Sequence, residues 1–323
     1  MRGRSNLSMN VSISPHIRSS RATKEVMWSV FLALIPAGAA GVFIFGVNAL
    51  LVIIASIAAA LIAEIAVQAA SRKTISILDG SVFITGLLLA YNLPPGVPLW
   101  IPVIGSLFGV VVGKQLFGGL GHNIFNPALV GRAFLMASWP VYMTVWKAPR
   151  MSIDAVSRAT PLGVLRHGDV DLASIVSLRD LLLGNRPGCI GEICIIALLA
   201  GAIFLLAKGH ITAHTPFVYI ATVAVLSWAF SGRGGLFKGE WLYLILNGGL
   251  ILGAFFMATD YVTTPLSAKG KIVFGLGCGV ITFLIRKFGG YPEGVSYSIL
   301  MMNAATPIID RYTRPKWFGY KGR

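Results

Sequence analysis

Long apolar runs separated by short polar connections are the dominant pattern of this sequence. A helix needs roughly 20 apolar residues to cross about 30 Å of hydrocarbon, and fewer where it is broken inside the protein. The expected fold class is therefore an all-α polytopic membrane protein with about ten transmembrane helices, several of them short or broken. The predicted segments are 26–47, 48–70, 80–93, 97–117, 123–139, 189–207, 212–230, 241–258, 271–285 and 294–309.

The composition agrees with this assignment. Of the 323 residues, 55% are hydrophobic and 12% are charged, whereas soluble domains have about 25% charged residues. The 27 Lys and Arg residues outnumber the 12 Asp and Glu residues, but they stand at the ends of apolar runs, without a basic patch interleaved with aromatic residues. This distribution argues against nucleic acid as a partner and indicates a chain surrounded by membrane lipid.

The basic residues also predict the orientation of the chain, because cytoplasmic loops are enriched in Lys and Arg. With ten crossings and the N-terminus inside, the inside loops and tails carry sixteen basic residues and the short outside loops carry four. Both terminal segments, 1–25 and 310–323, are therefore expected in the cytoplasm. The first apolar run is too long for a signal-peptide core, so we expect the N-terminal segment to be retained.

One connection, 140–188, is about fifty residues long, and loops beyond roughly 15 residues are usually functional or disordered. The predicted topology places it on the outer face of the membrane, which is the periplasmic face in a Gram-negative cell. It divides the chain into two membrane units, 26–139 and 189–309, with five predicted segments each.

The two units resemble each other in sequence. Residues 80–98 parallel 248–265, and the basic, Gly-Gly-containing stretch that begins at Gly113 parallels the one that begins at Ile285. An odd number of segments per unit gives the repeats opposite orientations, and inverted repeats place binding sites near the midplane, where short or broken helices meet. Chance similarity between apolar sequences is the alternative explanation.

The outer segment contains a stretch of small residues, 154–162, that reads Asp-Ala-Val-Ser-Arg-Ala-Thr-Pro-Leu. Taken alone, Ala-Thr-Pro is typical of a plain turn. The spacing of Asp154, Ser157, Ala159 and Thr160, however, fills every fixed position of the flavin-attachment sequence of the RnfD and NqrB family, which this stretch resembles.

In that family the last threonine is joined through its oxygen to the phosphate of FMN. The resemblance therefore implies a covalent FMN on Thr160, attached by a flavin transferase. One position departs from the pattern: Arg158 stands where NqrB-type sequences commonly have Gly. Its charge is expected either to pair with the phosphate or to crowd its approach.

The resemblance covers nearly the whole chain, through the stretches that begin at Ser14, Asp79, Gly121 and Ala258. It implies a membrane subunit of a redox-driven, Na⁺- or H⁺-translocating complex of the bacterial inner membrane, with flavin-bearing and iron–sulfur subunits as partners. The length favours the Rnf type, a ferredoxin:NAD⁺ oxidoreductase, because Nqr-type subunits usually carry a longer N-terminal extension. Since no Gly-rich dinucleotide fingerprint is present, the complex and not this chain alone is expected to be the enzyme.

The sequence Gly-His-Asn-Ile-Phe-Asn-Pro-Ala places Asn123 and Asn126 three residues apart, on one face of a predicted helix. Taken alone, such amides cap helices or form interhelical hydrogen bonds. The family resemblance implies that this pair and Asp260 lie near a second flavin, riboflavin, toward the cytoplasmic half.

Charges inside predicted membrane segments are functional candidates by default. Glu64 is expected either to take part in a cation or proton path or to pair with Arg72 or Lys73 at the interface.

Arg132 and Glu192 are the other two such residues. Arg132 is expected to pair with Asp79 or Asp260 or to contact a flavin, and the sequence assigns no role to Glu192.

The three cysteines, Cys189, Cys194 and Cys278, show no CxxC spacing and lie in or beside apolar segments. We interpret them as small hydrophobic residues, and neither they nor the histidines predict a metal or haem site.

Two alternative functions remain at this point. Ten segments in inverted repeats are also found in many solute transporters and channels. The Thr160 stretch and a bound yellow chromophore would distinguish the flavoprotein from such a transporter, which requires neither. The other alternative is the NqrB component of a Na⁺-pumping NADH:quinone oxidoreductase, which shares the attachment chemistry.

Overall fold

The computed structural model describes residues 23–73, 76–146, 177–231, 235–237, 239–290 and 293–314, and within these ranges the chain is helical and contains no strand. The first half contains α1 (Thr23–Phe45), α2 (Val47–Ala70), α3 (Ser81–Tyr91), α4 (Trp100–Val110), α5 (Pro127–Ser138) and α6 (Pro140–Thr144). The second half contains α7 (Leu178–Leu183), α8 (Ile195–Ala207), α9 (His214–Phe230), α10 (Trp241–Leu246), α11 (Leu250–Leu252), α12 (Ala268–Phe288) and α13 (Val295–Thr313). Wider π-helical turns, Val111–Gln115 and Gly253–Met257, extend α4 and α11.

Within the described ranges, three helices, α1, α2 and α12, are long and apolar enough to cross a membrane by themselves, and α3, α4, α5, α8 and α9 are shorter apolar helices. Large apolar side chains stay exposed on this surface, among them Phe43 and Leu266 at 76% and 83% exposure. Exposed apolar residues in such number are typical of a surface that faces lipid. The prediction of an all-α polytopic membrane protein is confirmed.

The segment predictions need correction at the breaks. The 241–258 segment is not one helix, because it divides into α10, α11 and a π-helical turn. The 189–207 segment becomes helical only at Ile195. The residues before that helix pair with the end of α3 instead: the backbone N–H groups of Ile190 and Gly191 donate to the carbonyls of Leu93 and Tyr91.

The two halves repeat one packing pattern. In the first half α2 packs against α3 and α4, and α4 packs against α5. In the second half α9 takes the place of α2: it packs against α10 and α12, and α12 packs against α13. The corresponding helices α1 and α8 pack against each other, as do α5 and α13. Two copies of a five-segment unit would give this pattern, which supports the predicted internal repeat; the opposite orientation of the copies stays a prediction.

Glycine allows the halves to approach closely where α1 meets α8. A Cβ atom on Gly201 of α8 would overlap the carbonyl oxygen of Ala33 in α1, and one on Gly41 would come within 2.5 Å of the carbonyl oxygen of Ile190. Both obstacles are backbone atoms, so relief would require a shift of a whole helix or segment.

We therefore expect Gly201→Ala to destabilise the protein by about 1–3 kcal/mol, the usual cost of overpacking, although alanine is the better helix former. The measurement is the free energy of unfolding in mixed micelles. Gly290→Ala is the matched control, since no atom lies within 4 Å of the added Cβ there. Equal stability of both variants and the wild type would contradict the close approach of α1 and α8.

Candidate functional site

A cleft of about 740 Å³, including the space at its open mouth, lies where the helix breaks of both halves meet. Its wall includes the start of α1, the face of α3, the turn before α5 and the turn after the π-helical Gly253–Met257. It brings together Asn123, Asn126 and Asp260, the three residues that the sequence assigned to a second flavin site. We call this cleft the polar pocket.

The two asparagines reach the polar pocket from a turn and not from a helical face, so that prediction was wrong. Asn123 lies in the turn, and its Nδ2 donates to the carbonyl oxygen of Phe125 at 3.1 Å. Asn126 is the N-cap of α5: its Oδ1 accepts from the backbone N–H groups of Ala128 and Leu129 at 3.1 and 3.4 Å. The Asn-Pro pair at positions 126 and 127 is the signal for a cap, because Pro is favoured at the first helical position.

The opposite wall is held by α13. The Oδ1 atom of Asn303 accepts from the backbone N–H of Asn126 at 3.3 Å, and its Nδ2 donates to the carbonyl oxygen of Thr263 at 3.0 Å. Thr263 in turn donates its hydroxyl to the carboxylate of Asp260 at 3.2 Å. One amide therefore fixes the distance between the turn that carries the asparagines and the turn that carries the aspartate.

The polar pocket fits a flavin ring by its chemistry. Ile84, Leu88 and Phe255 contribute an apolar lining. Within the described part of the chain, neither Asn123 Oδ1 nor Asn126 Nδ2 has a hydrogen-bond partner. An isoalloxazine ring offers apolar faces and an edge of donors and acceptors, which match this combination.

A buried ion pair lies at one side of the polar pocket. Lys114, in the π-helical turn after α4, also lines the cleft, and its Nζ donates to both carboxylate oxygens of Glu64 at 2.9 and 2.7 Å. The exposed fractions of these side chains are 2% and 1%. Glu64 thus pairs with Lys114 and with neither basic residue after α2. The expected pairing with Arg72 or Lys73 was wrong, and the alternative role of Glu64 in a cation or proton path stays a prediction.

A second group of buried charges surrounds the break between α3 and α4 and the start of α13. Arg132 of α5 donates to the carboxylate of Glu293 and to the side-chain oxygen of Asn92. Its partner is therefore neither Asp79 nor Asp260. The sequence did not single out Glu293, because it stands in a short polar turn where charge is ordinary.

Two further arginines belong to the same group. Arg186 donates to Asn247 Oδ1 at 2.5 Å and to the carbonyl oxygen of Glu192 at 3.1 Å. Arg286 donates to the carbonyl oxygens of Glu293 and Asn247 at 3.0 and 3.2 Å. The arginine cluster is defined as Arg132, Arg186, Arg286, Glu192 and Glu293.

The thiol of Cys189 lies inside the arginine cluster. Its Sγ donates to the carbonyl oxygen of Asn92 at 3.3 Å, so Cys189 is more than a small hydrophobic residue. Ligand atoms of Cys189, Glu192 and Glu293 lie within 4.8 Å of one another. Because three guanidinium groups already surround two carboxylates, a divalent cation would increase an existing positive excess. We interpret the group as an ion-pair network.

The arginine cluster also borders a smaller cavity of about 420 Å³, lined by Arg132, Met143, Trp146 and Glu293 among others. Trp146 is the last described residue before the 147–176 gap, and Arg186 lies shortly after it. Two described residues of the predicted outer segment, Trp146 and Arg186, thus lie beside or within the cluster. The candidate FMN-attachment residues lie outside the described residues: Asp154, Ser157, Ala159 and Thr160.

Comparison with known proteins places these features in a family. The model of the NQR2, RnfD, RnfE family matches residues 10–319. The chain belongs to this family. The resemblance inferred from the attachment stretch and the other motifs is confirmed.

Similar members of the NQR2, RnfD, RnfE family align over nearly their full length. The chain is 49% identical over 316 residues to the D component of the proton-translocating ferredoxin:NAD⁺ oxidoreductase complex of Clostridium ljungdahlii, covering 96% of each protein. It is 44% identical over 315 residues to the D component of the Na⁺-translocating ferredoxin:NAD⁺ oxidoreductase complex of Acetobacterium woodii, covering 97% of this chain and 96% of that protein. Identity to the D component of the ion-translocating oxidoreductase complex of Ectopseudomonas mendocina is 37% over 326 residues, covering 95% of each.

The arginine cluster predicts a large loss of stability when one of its charged side chains is removed. We expect Arg132→Leu to lower the free energy of unfolding by about 3–5 kcal/mol, because it removes the ion-pair partner of the Glu293 carboxylate and leaves the side-chain oxygen of Asn92 without its donor. Arg311→Leu, at an exposed position of α13, should change it by no more than about 0.5 kcal/mol. Unfolding in mixed micelles measures both values. If Arg132→Leu lowers the free energy of unfolding as little as Arg311→Leu does, the cluster does not stabilise this fold.

Proposed function

We propose that this chain is the membrane subunit of an Rnf-type ferredoxin:NAD⁺ oxidoreductase, in which it relays electrons through bound flavins, coupled to the transport of Na⁺ or H⁺. The observation that carries the proposal is the end-to-end likeness to the D components of two such complexes, at 49% and 44% identity. Fold likeness alone would leave a solute carrier open. A likeness that extends through the attachment stretch and the polar pocket favours electron transfer.

The proposal includes a place in the cell and a set of partners. The chain lies in the bacterial inner membrane with both termini in the cytoplasm and 140–188 on the outer face, as the distribution of basic residues favours. Its partners are the flavin-bearing and iron–sulfur subunits of the complex, membrane lipid and, during maturation, a flavin transferase. Catalysis with NAD⁺ belongs to the assembled complex.

The covalent cofactor is FMN, joined through its phosphate to the hydroxyl oxygen of Thr160. Asp154, Ser157 and Ala159 complete the sequence that the transferase recognises. The chemistry requires small neighbours that admit the enzyme and the phosphate, and a carboxylate such as that of Asp154 can orient the hydroxyl or a metal ion. On either side of this stretch, Trp146 borders the smaller cavity and Arg186 belongs to the arginine cluster.

The second cofactor is riboflavin, bound without a covalent bond in the polar pocket. A flavin supplies one- or two-electron chemistry, and the protein sets its position and potential. Asn123 and Asn126 present free amide atoms to the cleft. Asp260 accepts from the hydroxyl of Thr263 through one carboxylate oxygen, which leaves part of its capacity as an acceptor for ring or ribityl groups.

The covalent site is tested by in-gel fluorescence after the chain is expressed with an active flavin transferase. We expect a fluorescent band for the wild type and none for Thr160→Ala, because the acceptor oxygen is gone. Thr144→Ala is the matched control: it removes the other threonine of 140–188, an exposed residue bonded only to nearby carbonyls of α6. A wild-type chain that stays dark would contradict the covalent site and favour the solute carrier.

The second site is tested by the flavin that acid extraction releases from the purified chain. We expect Asp260→Ala to reduce extractable riboflavin at least tenfold, while the covalent fluorescence of the same sample stays at the wild-type level. Asp310→Ala removes an aspartate on α13 that accepts from the exposed backbone N–H of Leu266, and it should retain the riboflavin. If Asp260→Ala retains the full riboflavin content, Asp260 does not contribute to the riboflavin site.

A further inference from the structure

The ammonium group of Lys114 has an unusual position for a lysine in a membrane protein. It is buried, it lines the polar pocket, and it donates to three oxygens: the two of Glu64 and the hydroxyl of Ser81 at 2.7 Å. These three bonds use all three ammonium protons. The lysine is therefore held rigidly at the cleft and is not a mobile surface cation.

The partners of Lys114 are themselves fixed. Ser81 donates its hydroxyl to Asp79 at 2.7 Å, which leaves the lone pairs of its oxygen to Lys114. On the other side, Gln68 donates to Glu64 Oε1 at 3.1 Å and links that carboxylate to Ser76. A chain of hydrogen bonds thus runs from the start of α3 through the lysine to the end of α2.

This arrangement places the side chain of Lys114 at the polar pocket and its counter-charge, Glu64, outside the lining. Glu64 belongs to α2 and is absent from the lining of the cleft, whereas Lys114 and Ser81 are part of that lining. A buried pair is screened much less than an exposed one. A molecule in the cleft therefore experiences the lysine more strongly than the glutamate, and any negative charge that it acquires is stabilised.

We propose that Lys114 tunes the redox potential of the flavin in the polar pocket, and that Glu64 is the counter-charge that limits this effect. The proposal rests on the proposed riboflavin site. It follows from electrostatics alone: reduction adds negative charge to the occupant of the cleft, and the nearby ammonium favours that state. Removing the lysine and removing the glutamate should consequently shift the potential in opposite directions.

The experiment is a redox titration of the extractable flavin in the purified full-length chain. A Thr160→Ala background removes the covalent flavin, so that one flavin contributes to the absorbance. At a fixed electrode potential, Lys114→Met should lower the ratio of reduced to oxidised flavin at least tenfold. Glu64→Gln should raise it at least tenfold, since the carboxylate no longer offsets the lysine.

Two further variants separate tuning from a purely structural role. Lys114→Arg keeps the charge and should restore a ratio close to that of the background chain. Lys269→Met removes an exposed lysine at the start of α12 and should leave the ratio unchanged. If Lys114→Met does not fold, the double variant Glu64→Gln with Lys114→Met removes both charges and should give a ratio below that of Glu64→Gln alone.

The outcomes distinguish this inference from the proposed function. Opposite shifts in the two single variants, with rescue by arginine, support the tuning role. Shifts in the same direction, or no shift in a chain that retains its flavin, overturn the role of Lys114 and leave the riboflavin site in place. Absence of extractable flavin from the Thr160→Ala background chain overturns both the tuning role of Lys114 and the riboflavin site.

Discussion

Backbone polar groups that lie at membrane depth need partners within the protein, because hydrocarbon offers none. This constraint shapes both halves of the fold, since α3, α5, α8 and α11 are too short to place all their ends in water. The break after α3 is closed by the turn at Ile190 and Gly191, whose backbone N–H groups donate to the carbonyls of Leu93 and Tyr91. The start of α5 is closed by Asn126, and Asn303 joins that cap to Thr263 across the boundary between the halves.

The same breaks explain where the charges lie. An ionised side chain inside a membrane protein is tolerated when it faces the protein interior and is paired there. The two charge groups meet this condition: Lys114 with Glu64 beside the polar pocket, and Arg132 with Glu293 beside the smaller cavity. In each case the basic side chain, Lys114 or Arg132, lines a cavity that lies where helices are interrupted. Cavities and buried charges therefore share a structural origin.

Hydropathy was sufficient to predict most of the helical segments, because crossing a membrane requires a length of apolar sequence that the chain displays directly. It was insufficient at their ends and at the breaks inside 241–258. Asn123 and Asn126 were placed on a helix since apolar residues continue through them, yet the Asn-Pro cap begins α5 at Pro127. Hydropathy also does not reveal the π-helical turn that carries Lys114. The partner of Arg132 is 161 residues away, and no local pattern connects residues at that separation.

The ion pair between Lys114 and Glu64 also accounts for how a cation can exist at the polar pocket at all. An isolated buried ammonium is costly, whereas a paired one with all its protons bonded is tolerated. Pairing reduces the net charge of these two residues to zero, and the carboxylate of Asp260 also belongs to the cleft. Lys114 lines the cleft, whereas Glu64 does not. For the riboflavin proposed to occupy the cleft, this order of the two charges favours the form of the ring that carries additional electrons, which is the property that an electron relay requires.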